Sequence, residues 1–160
     1  MHLDGTGRPP RGALHEVRMA DKNDKKDPDG TFFHPDLLEI PADGSPAYLK
    51  GYRCCACGRL DFPKLTLCPS CWGEKFDVVP LSRKGKLYSA TDIFIGQAGM
   101  KTPYIFGYVD LPEDLRILCQ LEGDTGSFHC DQDVELTVGP IRTNDDGSPL
   151  ISYKFKKAGS

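Results

Sequence analysis

The sequence predicts a mainly β protein in two folded parts, a small cysteine-rich ribbon and then a five-stranded barrel, preceded by a weakly ordered arm. Three observations lead there. Two Cys-x-x-Cys units lie close together between residues 54 and 71. From residue 81 onward the apolar residues alternate with polar ones at a period of two, in runs separated by turn formers. No long helical period separates those runs, because proline, glycine or an Asp/Asn cluster interrupts each connection.

Residues 1–47 form the expected arm. The stretch Asp21-Lys22-Asn23-Asp24-Lys25-Lys26-Asp27-Pro28-Asp29-Gly30 offers nothing apolar to bury and reads as a solvated tail. Phe32, Phe33, Leu37, Leu38 and Ile40 follow between prolines. Asp36 to Glu39 can make a single helical turn, while Pro35 and Pro41 prevent anything longer.

Residues 48–80 form the expected ribbon. Cys54 and Cys57 make one pair, and Cys68 and Cys71 the other, with ten residues between the pairs. Each pair sets two thiolates on one tight turn, at adjacent corners of a tetrahedron, and two such turns close a four-sulfur shell around Zn²⁺. Gly58 follows the first pair, where the turn calls for a residue tolerant of positive φ. The short gap suits a zinc ribbon, with Phe62-Pro63-Lys64-Leu65 in the hairpin joining the two turns. A closed shell of thiolates leaves no position for a water, so its role is structural. The same ligands suit iron in a rubredoxin-like electron-transfer site; a separate strand-rich module after the ribbon favours zinc. Cys55 reads as a bystander.

Residues 81–158 form the expected barrel. Five strands are read: Lys86–Ile95, Tyr104–Leu111, Arg116–Leu121, Val134–Arg142 and Leu150–Lys156. In the second, Tyr104, Phe106 and Tyr108 share one face and Ile105 and Val109 the other. Five strands without a long helix suggest a small closed barrel, of which the OB-fold is the common five-stranded case.

Composition removes several functions. The 160 residues carry a net charge of -3, with 39% hydrophobic and 27% charged residues, a globular balance without the basic excess of a duplex-binding protein. No apolar run approaches the roughly 18 residues of a membrane span. Met1 to Gly12 has no apolar stretch, so no secretory leader is expected. Seven cysteines, four of them paired, point to reduced thiols plus metal and a cytoplasmic location. Cys119 and Cys130 are weak nucleophile candidates: Cys119 lies within an apolar strand, and His129, next to Cys130, would point to the opposite face of a strand. His2, His15, His34 and His129 are too scattered for a second metal site. Barrels of this kind also bind single-stranded nucleic acid through aromatic platforms; Tyr88, Phe94, Tyr104, Phe106, Tyr108, Tyr153 and Phe155 are mostly at core spacing, which argues against it. Arg83, Lys84, Lys86 and Lys101 are candidates for meeting an anionic ligand or a partner.

The order of motifs resembles a known family. Leu49-Lys50-Gly51-Tyr52-Arg53-Cys54-x2-Cys57-Gly58, Phe62-Pro63, Cys68-Pro69-x-Cys71, Leu81-Ser82-Arg83-Lys84-Gly85-Lys86-Leu87-Tyr88-Ser89, Thr102-Pro103-Tyr104 and Val109-Asp110-Leu111 look like the zinc-ribbon/OB-fold proteins associated with acyl-CoA enzymes. The stretch from His34 to Pro41 and the segment from Leu81 to Ser89 are most similar to the branch formed by small subunits of 2-benzoylsuccinyl-CoA thiolases. The resemblance implies a rubredoxin-like zinc ribbon and an OB-fold in a non-catalytic subunit. Its expected partners are a thiolase-like catalytic chain in a hetero-oligomer and coenzyme A as ligand of the complex. It implies thiolytic cleavage of 2-benzoylsuccinyl-CoA to benzoyl-CoA and succinyl-CoA, in anaerobic toluene degradation. Other members partner acyl-CoA hydratases or aldolases, which stays open as the alternative.

Overall fold

Branched aliphatic residues alternate with polar or aromatic ones most clearly from residue 104 on, and those alternating runs are strands. The computed structural model describes residues 31–32 and 36–159. The expected solvated tail and His2, His15 and His34 lie outside the described residues. Ten strands follow one another: β1 (Thr31–Phe32), β2 (Leu38–Glu39), β3 (Tyr48–Cys54), β4 (Leu60–Asp61), β5 (Phe76–Pro80), β6 (Lys84–Ile93), β7 (Tyr104–Leu111), β8 (Leu115–Glu122), β9 (Asp133–Thr143) and β10 (Pro149–Lys157). No helix occurs among the described residues, so none there is long and apolar enough to cross a membrane.

β6 to β10 close into a barrel. β6 pairs antiparallel with β7, β7 with β8, β8 runs parallel to β10, and β10 pairs antiparallel with β9. β9 returns to β6 through Lys84↔Glu135 to Lys86↔Asp133, which completes the circuit. That closure is the five-stranded OB arrangement expected. β1 pairs in parallel with the start of β10, at Leu150 and Ile151, ahead of the residues that meet β8.

Leu87, Ile105, Val109, Leu111, Ile117, Cys119, Leu121, Val134, Leu136 and Phe155 fill the barrel. All of these but Cys119 and Phe155 are branched aliphatics. Ile105 and Val109 take the inward face of β7, so Tyr104, Phe106 and Tyr108 face outward, with Tyr108 exposed. This corrects the expectation that most of the aromatics occupy core positions. Tyr88 and Phe94 are exposed as well, and of the seven only Phe155 is fully buried.

The ribbon is a second small sheet centred on β3, which pairs with β2, β4 and β5, all antiparallel. It is not insulated from the barrel. Leu38 of β2, Leu49 of β3 and Leu81 after β5 belong to the same buried cluster as the barrel interior. Phe62 meets Tyr153 of β10 edge to face at 5.9 Å.

Two local expectations are corrected here. Asp36 and Leu37 form a turn, but Leu38 and Glu39 are a strand rather than the end of a helical turn. Leu38 sits opposite Leu49 on β3, and burying that pair outweighs a helical turn with no neighbours. Phe62 to Leu65 lies in an irregular connection after β4, not in a hairpin. The ribbon's hairpin is β3–β4, with the first cysteine pair in its turn.

Candidate metal centre

The two cysteine turns are built alike. Cys54 N donates to Arg59 O at 2.8 Å and Gly58 N to Cys54 O at 2.8 Å; in the second turn Cys68 N donates to Gly73 O at 2.8 Å and Trp72 N to Cys68 O at 2.9 Å. In each turn the residue four after the first cysteine has positive φ, Gly58 at 76° and Trp72 at 61°. Glycine takes that conformation freely, whereas tryptophan is strained there. Trp72 is also three-quarters exposed. Cys55 N donates to Lys75 O at 3.0 Å, tying the first turn to the chain that leaves the second.

These turns bring four sulfurs together. The Sγ atoms of Cys54, Cys57, Cys68 and Cys71 all lie within 4.8 Å of one another. Cys54 to Cys71 and Cys57 to Cys68 are each 3.5 Å. Four sulfurs about 2.3 Å from a tetrahedral zinc stand about 3.8 Å apart, so the cluster fits such an ion closely. Cys54 and Cys68 are buried, and Cys57 and Cys71 face solvent.

The electrostatics ask for a cation. Backbone amides of Cys57 and Ala56 hold the Cys54 thiol down to about 7. Cys71 goes the other way, up to about 12: the Gly73 amide favours its thiolate, but the sulfurs of Cys57, Cys54 and Cys68 outweigh that help. Four thiolates this close repel one another, and a bound dication removes the conflict. The donor set is all thiolate, which suits zinc or iron and leaves no coordination position open.

Three residues that frame the cluster were not legible in the sequence. Arg59 donates from Nε to both carboxylate oxygens of Asp61, at 2.9 and 3.2 Å, and from Nη1 to Ser70 Oγ at 3.2 Å, so it joins the two turns. Asp61, and then the sulfurs of Cys68 and Cys57, favour its charged form. Gly73 backs the cluster: a Cβ there would lie 3.3 Å from Cys54 Sγ and 3.4 Å from Cys71 Sγ. Trp72 is the third. A local signal existed only for Trp72, the one tryptophan in the chain, placed where the first turn carries glycine.

The remaining candidates are scattered. Cys55 stands outside the four-sulfur group. Cys119 is buried, with Sγ 3.7 Å from Gly107 O, and burial pushes its thiol up to about 12; this is the behaviour of a small core residue. His129 and Cys130 lie in the loop between β8 and β9, not on a strand as expected. The His129 backbone amide donates to Gln132 Oε1. Among the four cations, the Arg83 guanidinium donates to Leu136 O at 3.1 Å. The Lys86 ammonium pairs with Asp133 at 3.0 Å. Lys84 and Lys86 border a groove of about 670 Å³ that Asp110, Asp131 and Asp133 also line. Lys101 borders a different groove of about 540 Å³, together with Arg142 and Lys154. The four therefore do not converge on one point.

Comparison with known proteins gives a consistent identity. Residues 47–77 match the ChsH2 rubredoxin-like zinc ribbon domain, and residues 78–139 the ChsH2 C-terminal OB-fold domain. The benzoylsuccinyl-CoA thiolase subunit BbsA of Thauera aromatica is 74% identical over 136 residues, covering 85% of this chain and 94% of that protein. Its namesake from Geobacter metallireducens is 62% identical over 145 residues, covering 91% and 98%. Among solved structures, the Ltp2-ChsH2(DUF35) aldolase superposes with a TM-score of 0.59 at 25% identity, over 69% of this chain and 85% of that one. The chain belongs to the family of ChsH2-type zinc-ribbon/OB-fold proteins that includes the benzoylsuccinyl-CoA thiolase subunit BbsA.

Proposed function

We propose that this protein is the non-catalytic, zinc-binding subunit of a cytoplasmic acyl-CoA thiolase complex, which cleaves 2-benzoylsuccinyl-CoA with CoA into benzoyl-CoA and succinyl-CoA in anaerobic toluene degradation. The observation that carries the reading is 74% identity to a benzoylsuccinyl-CoA thiolase subunit across 94% of that subunit's length. The geometry is compatible with an accessory role. Thiolysis needs a nucleophilic thiolate with a base near it. Here four of the seven cysteines are drawn into the metal cluster, the buried Cys119 has a raised thiol, desolvation and Asp77 raise that of Cys55, and Cys130 is exposed in the loop between β8 and β9. Cys54, Cys57, Cys68 and Cys71 would hold one Zn²⁺ that fixes the ribbon's shape and takes no part in the chemistry. The fold likeness to an aldolase complex supports a second reading, an accessory subunit for carbon–carbon cleavage of a different acyl-CoA.

Coenzyme A or partner contact is proposed for Lys84 and Lys101, the two expected cations that form no ion pair or hydrogen bond among the described residues. Arg83 and Lys86 serve β9 and Asp133 instead. The test is a thiolysis assay on 2-benzoylsuccinyl-CoA with the chain alone, with the complex recovered from native cells, and with complexes carrying Lys84→Ala or Lys101→Ala. The chain alone is expected to be inactive and the complex active. A raised KM for CoA with intact assembly assigns a lysine to CoA, and a loss of assembly assigns it to the partner. A complex inactive on this substrate but active on another acyl-CoA would overturn the substrate and favour the second reading.

A further inference from the structure

We infer that the loop between β6 and β7 is the barrel's docking element, and that Phe94 and Ile95 insert into an apolar pocket with an acidic rim on the catalytic partner. This rests on the accessory-subunit reading above. The loop is unusual in composition and in what it exposes. From the end of β6, Ile93-Phe94-Ile95-Gly96-Gln97-Ala98-Gly99-Met100 contains no charged residue, and Lys101 is the loop's single charge. Phe94 is 67% exposed and Ile95 is 92% exposed. Two adjacent large apolar side chains this open to water are costly in an isolated protein, and such exposure commonly marks a contact surface.

The loop is also held in place. Thr143 N donates to Gly99 O at 2.8 Å, and Met100 N to Gln97 O at 3.1 Å, so the end of β9 pins its far side. Gly99 has φ of 82°, and Thr143 O occupies the position that a side chain would need. A Cβ on Gly96 would lie 2.8 Å from the Tyr104 ring and 2.9 Å from Thr102. On the near side, Asp92 Oδ2 accepts from Gly126 N at 2.9 Å. Phe94 and Ile95 therefore project from an anchored backbone, which lowers the ordering cost of binding.

The flanking charge specifies the partner's rim. Three cations, Lys101, Arg142 and Lys154, and two carboxylates, Glu122 and Asp124, line the adjoining groove; Lys154 stands 3.9 Å from Glu122, while Lys101 and Arg142 have no ion pair among the described residues, so positive charge is in excess. An apolar tip beside cations fits a pocket edged by Asp or Glu, and those charges would set association rate and orientation more than affinity. An anchored pair of side chains on a short loop suits a protein pocket. A membrane surface would be met by a longer apolar face.

The experiment uses the full chain in native extract and in reconstitution with the thiolase-like chain that co-purifies with it. The double variant Phe94→Ser/Ile95→Ser is expected to raise the Kd for that chain at least about tenfold, as loss of an interface anchor does. Metal content and melting temperature should match the unaltered protein, because neither side chain is buried. Lys101→Glu should slow association and weaken its salt dependence. Unchanged Kd for the double variant would overturn the docking assignment while the accessory-subunit reading stands. If the unaltered chain retrieves no thiolase-like chain at all, both fall. A dimer of the isolated chain, or binding to vesicles containing anionic phospholipid, that the double variant abolishes would also overturn the inference, giving the loop a second copy or a membrane as its occupant.

Discussion

Cys68→Ala is expected to release the metal and unfold the ribbon. Cys68 is fully buried and Cys54 nearly so, and apart from them the ribbon buries little beyond Leu49, Tyr52 and Asp61. Structural zinc supplies about 10–16 kcal/mol of apparent binding energy in finger peptides, and that energy is folding energy. A three-sulfur site gives up a large part of it and leaves the remaining thiolates without their common counter-ion. Metal analysis should fall from one ion per chain to a small fraction, and hydrogen exchange should lose protection across residues 48–80 and, through the core shared at Leu49 and Leu81, in the barrel as well. Cys55→Ala should keep both. Acid should mimic the loss in the wild-type protein, because protons compete with the ion for the thiolates, so metal affinity falls as pH falls. A Cys68→Ala protein that keeps one ion and native protection would contradict a four-cysteine shell.

Leu49→Ala is expected to destabilise the whole molecule by about 2–5 kcal/mol, the range for truncating a buried leucine to alanine. Leu49 lies on the ribbon's central strand, yet it packs in the cluster that fills the barrel. The seam allows little relaxation: a Cβ on Gly51 of the same strand would come within 2.5 Å of Leu81, so the strands already approach closely. Ribbon and barrel should therefore unfold together. The single tryptophan, Trp72, reports on the ribbon, while far-UV circular dichroism is dominated by the ten-strand whole. Both probes should show one urea transition, shifted equally by the substitution. A tryptophan transition that moves ahead of an unaffected barrel would contradict a shared core.

What the sequence disclosed and what it withheld follow from the range of the interactions involved. The four-cysteine cluster was legible because each cysteine pair is a local turn that requires its own spacing. The strands β7 to β10 were legible because period-two alternation is local, and Tyr104–Leu111 was read to the residue. β6 was read two residues late at both ends. Its start is set by pairing of Lys84 with Glu135, and its end by the last β6–β7 pair, Ile93↔Tyr104. Neither partner is near in sequence. Leu38 was read as helical for the same reason, since only Leu49 makes it a strand. The outward aromatics of β7 were misjudged because alternation shows that two faces differ, not which one faces in. Arg59 and Asp61 went unseen because their role depends on Ser70 arriving from the second turn.

Retrieval of the tagged full-length chain from nuclease-treated native extract, with mass spectrometry of what co-elutes, tests the accessory-subunit role most directly. The expected result is one thiolase-like chain in near-equal amount, with zinc at one ion per copy of this chain. Recovery of the protein alone, or with nucleic-acid-binding proteins, would contradict a role in a thiolase complex and leave the metal-held ribbon as an independent module.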